Sequence, residues 1–175
     1  MSTVQYTLSY FYNTFSTFSN TTRMEEQLIQ AYKEMLVSGE ENINAFTLSQ
    51  KVGATEQDFY KHFTSADDIG RKIWANLGEE VFAKLNESET FANYGAQEKI
   101  LTVFFTFFEV ALNHRVFISL THNRPSLLKT YRENFKQFIN DVIQEGIATD
   151  EVKERLSLSS YYPDMLWGLH QRLVS

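Results

Sequence analysis

Apolar residues recur at every third or fourth position along most of this chain, which is the spacing of amphipathic helices. The first stretch shows the pattern clearly, with Leu28, Tyr32 and Met35 on one face and a glycine, Gly39, after its end. The pattern predicts helices over residues 24–37, 66–85, 97–116, 117–122, 126–147 and from 160 onward. The stretch 97–116 is apolar nearly all round, so we expect it to be central in a helical body. The fold is therefore predicted to be all-α.

Two short helices joined by a glycine turn are predicted between the first long stretch and the next. Thr47 and Gln50 have the spacing of a capping box, so we expect a helix to begin at Thr47 and to end at Gly53. Thr55 is predicted to cap the second short helix, and Ser65 is predicted to cap the long helix that follows. Helix, tight turn and helix form the layout of a helix-turn-helix, whose second helix enters the DNA major groove.

At these residues the chain resembles the TetR family of transcriptional regulators. Gly53-Ala54-Thr55 corresponds to the family's Gly-Val-Ser, and the run Phe59-Tyr60-Lys61-His62-Phe63 corresponds to Leu-Tyr-x-His-Phe. The resemblance implies a three-helix helix-turn-helix head and an antiparallel helical body. It also implies a homodimer that binds double-stranded DNA and a small apolar ligand in the body that controls this binding. The expected organisation is an uncharged, aromatic-rich and flexible leader (1–22), the predicted head (23–78) and the predicted body (79–175).

The resemblance also identifies candidate DNA-contacting residues in the predicted head. These are Thr47, Thr55, Gln57, Tyr60, Lys61 and His62. Affinity for DNA comes largely from Lys and Arg, and between residues 46 and 63 Lys51 and Lys61 are balanced by Glu56 and Asp58. We therefore expect DNA binding to be weakened by an acidic reading helix. A second hypothesis remains open, namely a TetR-fold protein that binds a lipid or isoprenoid and no longer binds DNA.

Bulky aromatic residues on several predicted helices of the body are candidates for an apolar ligand pocket. The candidate lining residues are Phe104, Phe105, Phe108, Glu109, Leu112, Phe135, Phe138 and Trp167. Each of them could instead be an ordinary core residue, because an apolar helical stripe usually packs against its neighbours. Glu109 interrupts the apolar run, so it either faces solvent or anchors a polar group of the ligand. Tyr161, Leu166, Trp167 and Leu169 form the candidate dimer surface.

Composition narrows the classes of protein that the chain can represent. It has 175 residues, a net charge of −6 and no cysteine. The absence of cysteine excludes a disulfide scaffold and argues against a structural zinc site. The sequence contains no nucleophile elbow and no phosphate-cradling loop, so we expect no enzyme activity, no catalytic residue, no metal site and no cofactor. It also lacks a signal peptide and a convincing membrane span, so we expect a cytoplasmic protein.

Overall fold

The computed structural model describes residues 22–153 and 161–174, and in these ranges the chain consists of helices joined by short turns. The helices are α1 (22–37), α2 (Ala45–Val52), α3 (Glu56–Phe59), α4 (Ala66–Asn86), α5 (Ala96–Thr121), α6 (Lys129–Ala148) and α7 (Tyr162–Val174). A short 3-10 helix, Phe91–Asn93, lies between α4 and α5. The predicted all-α fold is confirmed. The predicted leader, residues 1–22, lies outside the described residues apart from Thr22.

The chain divides into two compact units, and the division falls between Ile69 and Gly70, inside α4. The N-terminal unit holds α1, α2, α3 and the first turn of α4. The C-terminal unit holds the rest of α4 and the helices that follow it. The expected boundary at residue 78 lies two turns further along the same helix, and it stays a prediction.

The N-terminal unit is built around apolar side chains from its three helices. Leu28 and Tyr32 on α1, Leu48 on α2 and Phe59 on α3 are almost completely buried. They follow the three- and four-residue spacing of the sequence pattern, which places them on the inner faces of their helices. Phe63 is also buried and packs against Phe59, with 6.1 Å between ring centroids. This small core fixes the orientation of α3.

Two glycines end helices in this unit, as the sequence predicts. Gly39 follows α1 and Gly53 follows α2, and both have a positive φ, 72° and 70°. After each glycine, the next N–H reaches back five residues, from Glu40 to the Met35 carbonyl and from Ala54 to the Ser49 carbonyl. This is the Schellman pattern, in which glycine adopts the left-handed conformation without the clash that a Cβ would cause.

The prediction that Thr47 caps α2 is wrong. Asn44 is the N-cap, because its side-chain oxygen accepts from the Thr47 N–H at 3.0 Å. Thr47 instead closes the capping box from the third helical position, where its hydroxyl accepts from the Asn44 N–H at 3.0 Å. Asparagine caps helices as well as serine or threonine does, so α2 begins two residues earlier than predicted. The predicted cap of α3 by Thr55 is confirmed.

In the C-terminal unit, α5 is one continuous helix with an apolar face exposed to solvent. The sequence pattern predicted separate helices over 97–116 and 117–122, but nothing at residue 117 breaks the helix, and Phe117 and Ile118 continue its buried face. The stretch 97–116 was expected to be central in the body because it is apolar nearly all round, and α5 buries one face but exposes another apolar face. The exposed large apolar residues of α5 are Leu101, Phe105, Leu112, Val116 and Leu120.

Helix α6 begins at Lys129, three residues later than predicted. Pro125 lies in a turn, where the Leu127 N–H donates to the Arg124 carbonyl. Leu127 and Leu128 are 0% and 2% exposed, so they fill the core from this turn before the helix begins. After α6, residues 149 and 150 form a turn and residues 151 and 152 form a bend, and residues 154–160 lie outside the described part.

Polar groups connect the start of α5 to the end of α6. The ammonium of Lys99, a largely buried residue, lies 2.7 Å from the Glu145 carboxylate, and the Glu151 carboxylate accepts from the Ala96 N–H at 2.9 Å. The Glu151 carboxylate therefore satisfies a backbone N–H at the first turn of α5, which the helix itself leaves unpaired. These contacts fix α5 and α6 side by side and set the position of the aromatic residues between them.

Candidate functional site

The residues expected to contact DNA lie close together in and around α3. Thr55, Gln57, Tyr60 and Lys61 are exposed, and His62 is half-buried in the turn after α3. Tyr60 is 58% exposed, and its ring touches the buried Phe59 ring edge-on at 5.4 Å. Its hydroxyl end is therefore free to contact a ligand, while Phe59 and Phe63 provide the packing. Thr47 lies on α2 and is half-buried, with its hydroxyl engaged in the capping box.

An ion pair neutralises Lys61, the lysine that follows α3. The Lys61 ammonium lies 2.7 Å from the Asp58 carboxylate, which also accepts from the Thr55 hydroxyl at 2.7 Å. The hydrogen bond from Lys61, followed by those from Thr55, lowers the pKa of Asp58 to about 2. Asp58 is therefore ionised at neutral pH. The other lysine of this segment, Lys51, pairs with Glu34 at 3.5 Å.

In the C-terminal unit, five aromatic residues surround one histidine, and we call this group with the histidine the aromatic cluster. Its members are His170 on α7, Phe104 and Phe107 on α5, Tyr131 and Phe135 on α6, and Trp167 on α7. The Trp167 ring stacks on the imidazole with an angle of 7° and 5.3 Å between centroids. The Phe107 ring meets the imidazole edge-on at 4.3 Å. Three helices thus converge on His170.

The polar atoms inside the aromatic cluster are only partly paired. The Tyr131 hydroxyl and the His170 Nε2 are 2.9 Å apart. The Nδ1 of His170 is buried and has no hydrogen-bond partner among the described residues. Burial lowers the pKa of His170 to about 4, and burial also raises the pKa of Tyr131 well above its usual value. Both side chains are therefore uncharged at neutral pH.

An apolar groove lies next to the aromatic cluster, between α5 and α7, and we call it the α5–α7 groove. It has a volume of about 350 Å³. Its lining residues are Phe107, Phe108, Glu109, Ala111, Leu112, Arg115, Ile118, Ser119, Leu173 and Val174. Phe107 belongs to both features, because its ring lines the groove and also contacts His170. One aromatic ring therefore separates the groove from the buried histidine.

The structure divides the predicted ligand-pocket residues among several places. Phe104, Phe135 and Trp167 lie in the aromatic cluster, whereas Phe108, Glu109 and Leu112 line the α5–α7 groove. The other two lie elsewhere: the Phe138 ring packs against Phe82 and Phe91, and Phe105 is 72% exposed. The assignment of these residues to one pocket stays a prediction.

Glu109 was predicted either to face solvent or to anchor a polar group of the ligand, and its contacts bear on this choice. Its carboxylate lies 2.8 Å from the Lys84 ammonium, and its side chain is 67% exposed. This ion pair raises the pKa of Lys84. Glu109 therefore faces solvent at the edge of the α5–α7 groove and already has a partner there.

Three members of the aromatic cluster, Phe107, Tyr131 and His170, were not among the predicted site residues. In the sequence, His170 is a polar residue that interrupts the last apolar pattern. It follows Trp167 by three residues and therefore lies on the same helix face. This spacing is the one sequence feature that could have indicated that His170 is buried beside Trp167. Among residues 22–153 and 161–174, no group of three or more His, Cys, Asp or Glu side chains could hold a metal ion.

Comparison with known proteins relates the C-terminal part of the chain to a known family. Residues 99–174 match the family model described as the tetracyclin repressor-like C-terminal domain. This part of the chain therefore belongs to the TetR family's C-terminal domain. No curated protein sequence matches the chain.

Solved structures of TetR-family proteins share the fold at low sequence identity. A regulator of fatty acid degradation, FadR from Bacillus halodurans, has a TM-score of 0.63 and 14% identity over 86% of this chain and 81% of its own. A protein of Syntrophomonas wolfei assigned to the TetR family has a TM-score of 0.65 and 13% identity, over 87% and 95% of the two chains. One from Shewanella sp. PV-4 has a TM-score of 0.64 and 16% identity, over 86% and 83%. The protein therefore has the fold of a TetR-family transcriptional regulator.

Helix α5 is long and apolar enough, by length and composition alone, to cross a membrane. Its exposed apolar face contributes to this property. The same helix contacts α6 and α7 in the C-terminal unit, and it lies mostly within the part that matches the family's C-terminal domain. Its apolar character therefore fits a helix of a TetR-like C-terminal domain.

Proposed function

We propose that this protein is a DNA-binding transcriptional regulator whose C-terminal unit binds a small apolar ligand. The observation that carries the proposal is the exposed group Gln57, Tyr60 and Lys61 on and after α3, held by the buried Phe59 beneath it. In a helix-turn-helix, the second helix presents such side chains to base edges and phosphates. The match of residues 99–174 to the TetR family's C-terminal domain supports the same function.

The proposed regulator acts as a homodimer that occupies two half-sites. Tyr161, just before α7, and Met165 and Leu169 on α7 are 65%, 58% and 46% exposed. Leu101 and Phe105 are similarly exposed on α5, which contacts α7. Exposed apolar side chains in this number favour burial against a second copy. Of the expected dimer residues, Leu166 and Trp167 are only partly exposed, and Trp167 belongs to the aromatic cluster. The proposed dimer surface therefore centres on the exposed Tyr161 and Leu169. A cytoplasmic location follows from this function.

DNA binding is tested by titrating the purified protein into labelled fragments from upstream of its own gene. The salt concentration is varied, and unrelated DNA serves as competitor. We expect competitor-resistant binding whose logarithmic affinity falls linearly with the logarithm of the salt concentration, because phosphate contacts release counterions. Lys61→Ala should reduce the salt slope by about 0.9 if Lys61 contacts one phosphate. Lys33→Ala, on α1, is the matched control for the loss of a lysine elsewhere in the N-terminal unit.

A second candidate function is that of an apolar-ligand carrier with the TetR fold that does not bind DNA. The observation that favours it is the pairing of Lys61 with Asp58 and of Lys51 with Glu34, which leaves α2 and α3 with few uncompensated positive charges. A folded, dimeric protein that fails to bind the DNA fragments at low salt would support this alternative. Such a carrier, like the regulator, would bind a lipid or isoprenoid in the C-terminal unit.

A further inference from the structure

The unpaired Nδ1 of His170 needs a hydrogen-bond partner. His170 is 1% exposed, and its Nδ1 has no partner among the described residues. Most buried polar atoms in proteins are paired, and leaving one unpaired disfavours the folded state. The adjacent Gln171 also has an unpaired buried atom, its Nε2. The inner face of α7 therefore carries more hydrogen-bonding capacity than the surrounding protein satisfies.

The position of the imidazole proton follows from the contact with Tyr131. If the Tyr131 hydroxyl donates to Nε2, the proton of neutral His170 is on Nδ1. In this arrangement the Nδ1–H is the one hydrogen-bonding group of the two side chains that is left without a partner among the described residues. If Nε2 donates instead, both the Tyr131 proton and the Nδ1 lone pair are left without partners. The first arrangement leaves fewer groups unsatisfied. Nδ1–H is therefore a donor that lacks an acceptor.

The surroundings of His170 determine which acceptor fits. The rings in contact with it are uncharged: Phe104, Phe107, Tyr131, Phe135 and Trp167. A carboxylate placed among them would lose its hydration without gaining an opposite charge, which is strongly unfavourable. A neutral carbonyl oxygen accepts the same hydrogen bond without that cost, and the aromatic rings suit an apolar, flat molecule.

We propose that His170 donates a hydrogen bond from Nδ1 to the carbonyl oxygen of a neutral apolar ligand bound in the α5–α7 groove, next to the aromatic cluster. The inference rests on the proposed ligand-binding function of the C-terminal unit and names its ligand class. The groove, with a volume of about 350 Å³, has the size of a small-molecule site. Phe107 lines the groove and contacts the imidazole, so the ligand carbonyl reaches Nδ1 after this ring rotates.

The test uses prodan, a neutral naphthyl ketone whose fluorescence emission moves to longer wavelength when its carbonyl accepts a hydrogen bond. Prodan is titrated into the wild-type protein, His170→Phe and Phe46→Ala. His170→Phe keeps an aromatic ring and removes the donor. The Phe46→Ala control removes an exposed aromatic residue of α2, outside the C-terminal unit.

We expect His170→Phe to weaken prodan binding about threefold to tenfold, the effect of one lost hydrogen bond, and to move the emission of bound prodan to shorter wavelength. Phe46→Ala should match the wild type in both respects. Equal affinity and equal emission in the wild type and His170→Phe would overturn the proposal, because prodan would then bind at the apolar surface alone.

A second measurement keeps the proposal testable if His170→Phe does not fold. The nitrogen-15 NMR spectrum of the histidines in the wild-type protein reports which ring nitrogen carries the proton. We expect the proton of His170 on Nδ1, and a change of that signal on saturation with prodan. A proton on Nε2 would contradict the proposal, and so would an Nδ1 signal that saturating prodan leaves unchanged, as expected if a buried water pairs with it.

Failure of this inference is distinguishable from failure of the proposed function. The same prodan titrations are repeated with DNA-bound protein, and release of DNA is measured separately. Prodan binding through His170 in a protein that does not bind DNA would support the ligand site and contradict the proposed regulatory function. Sequence-specific DNA binding by a protein whose His170 does not contact prodan would support the regulatory function and contradict the ligand site.

Discussion

Lowering the pH from 7.5 to 4.5 is expected to destabilise the protein through one buried side chain, His170. Its pKa is about 4 in the folded state because burial disfavours the charged form, whereas an unfolded histidine titrates near 6.5. Between these values the unfolded chain binds more protons than the folded one. The stability contribution of neutral His170 is therefore complete above about pH 6.5, and it is lost as the pH falls towards 4.

The size of the effect follows from the two pKa values. A difference of about 2.5 units between the unfolded and folded states corresponds to roughly 3 kcal/mol once both states are protonated. At pH 4.5 most of this free energy, about 2–3 kcal/mol, is already lost. Carboxylates with lowered pKa values, such as Glu34, Asp58 and Asp164, add a loss that begins near pH 5 and grows at lower pH. Comparison of the wild type with His170→Phe over the same range therefore isolates the histidine.

The assay is urea unfolding followed by circular dichroism at pH 7.5, 6.0 and 4.5. We expect the free energy of unfolding of the wild type to fall by about 2–3 kcal/mol over this range, and that of His170→Phe to change much less. His122→Gln, at the end of α5, is the control for the loss of a histidine outside the aromatic cluster. Equal pH dependence of the wild type and His170→Phe would refute the reasoning.

Three further predictions concern other parts of the chain. Asp58→Asn should strengthen DNA binding, because Lys61 then contacts a phosphate without first breaking its ion pair with Asp58, and the DNA titration measures the affinity. Gly53→Ala should cost about 1 kcal/mol in urea unfolding, since φ is 70° there although a Cβ meets no atom within 4 Å. Phe135→Ala should cost about 3–5 kcal/mol, whereas Phe46→Ala, at an exposed site, should cost less than about 1 kcal/mol. An unchanged DNA affinity of Asp58→Asn, or equal costs for the two phenylalanines, would contradict these expectations.

The sequence predicted the positions of most helices because local signals determine where they begin and end. Gly39 and Gly53 end helices where left-handed backbone is required, and Thr55 caps α3 through a contact three residues away. The start of α2 was missed because two residues compete for the cap, and Asn44 and Thr47 form one reciprocal box. The N-cap is whichever of Asn44 and Thr47 has a non-helical backbone, and the sequence pattern does not determine which residue this is. In the structure it is Asn44, whose backbone is extended.

The candidate site was predicted less well because burial depends on contacts between distant residues. Phe104 and Phe105 are neighbours with the same side chain, yet one contacts His170 and the other is exposed. A helix that is apolar on several faces gives no periodic signal for which face is buried. His170 was missed for a related reason, since a histidine on a buried face has the composition of a surface residue until its neighbours are known.

DNA binding and ligand binding depend on different side chains, so one of these activities can be absent while the other is present. The DNA hypothesis depends on whether Lys61 leaves Asp58 for a phosphate, because the pair as it stands offers DNA no net positive charge. The ligand hypothesis depends on a neutral donor at His170 that no described residue satisfies. A regulator requires both, whereas a carrier with the TetR fold requires only the second. If Asp58→Asn creates DNA binding that the wild type lacks, the loss of function in this helix-turn-helix is electrostatic rather than structural, because α3 and its buried Phe59 are unchanged.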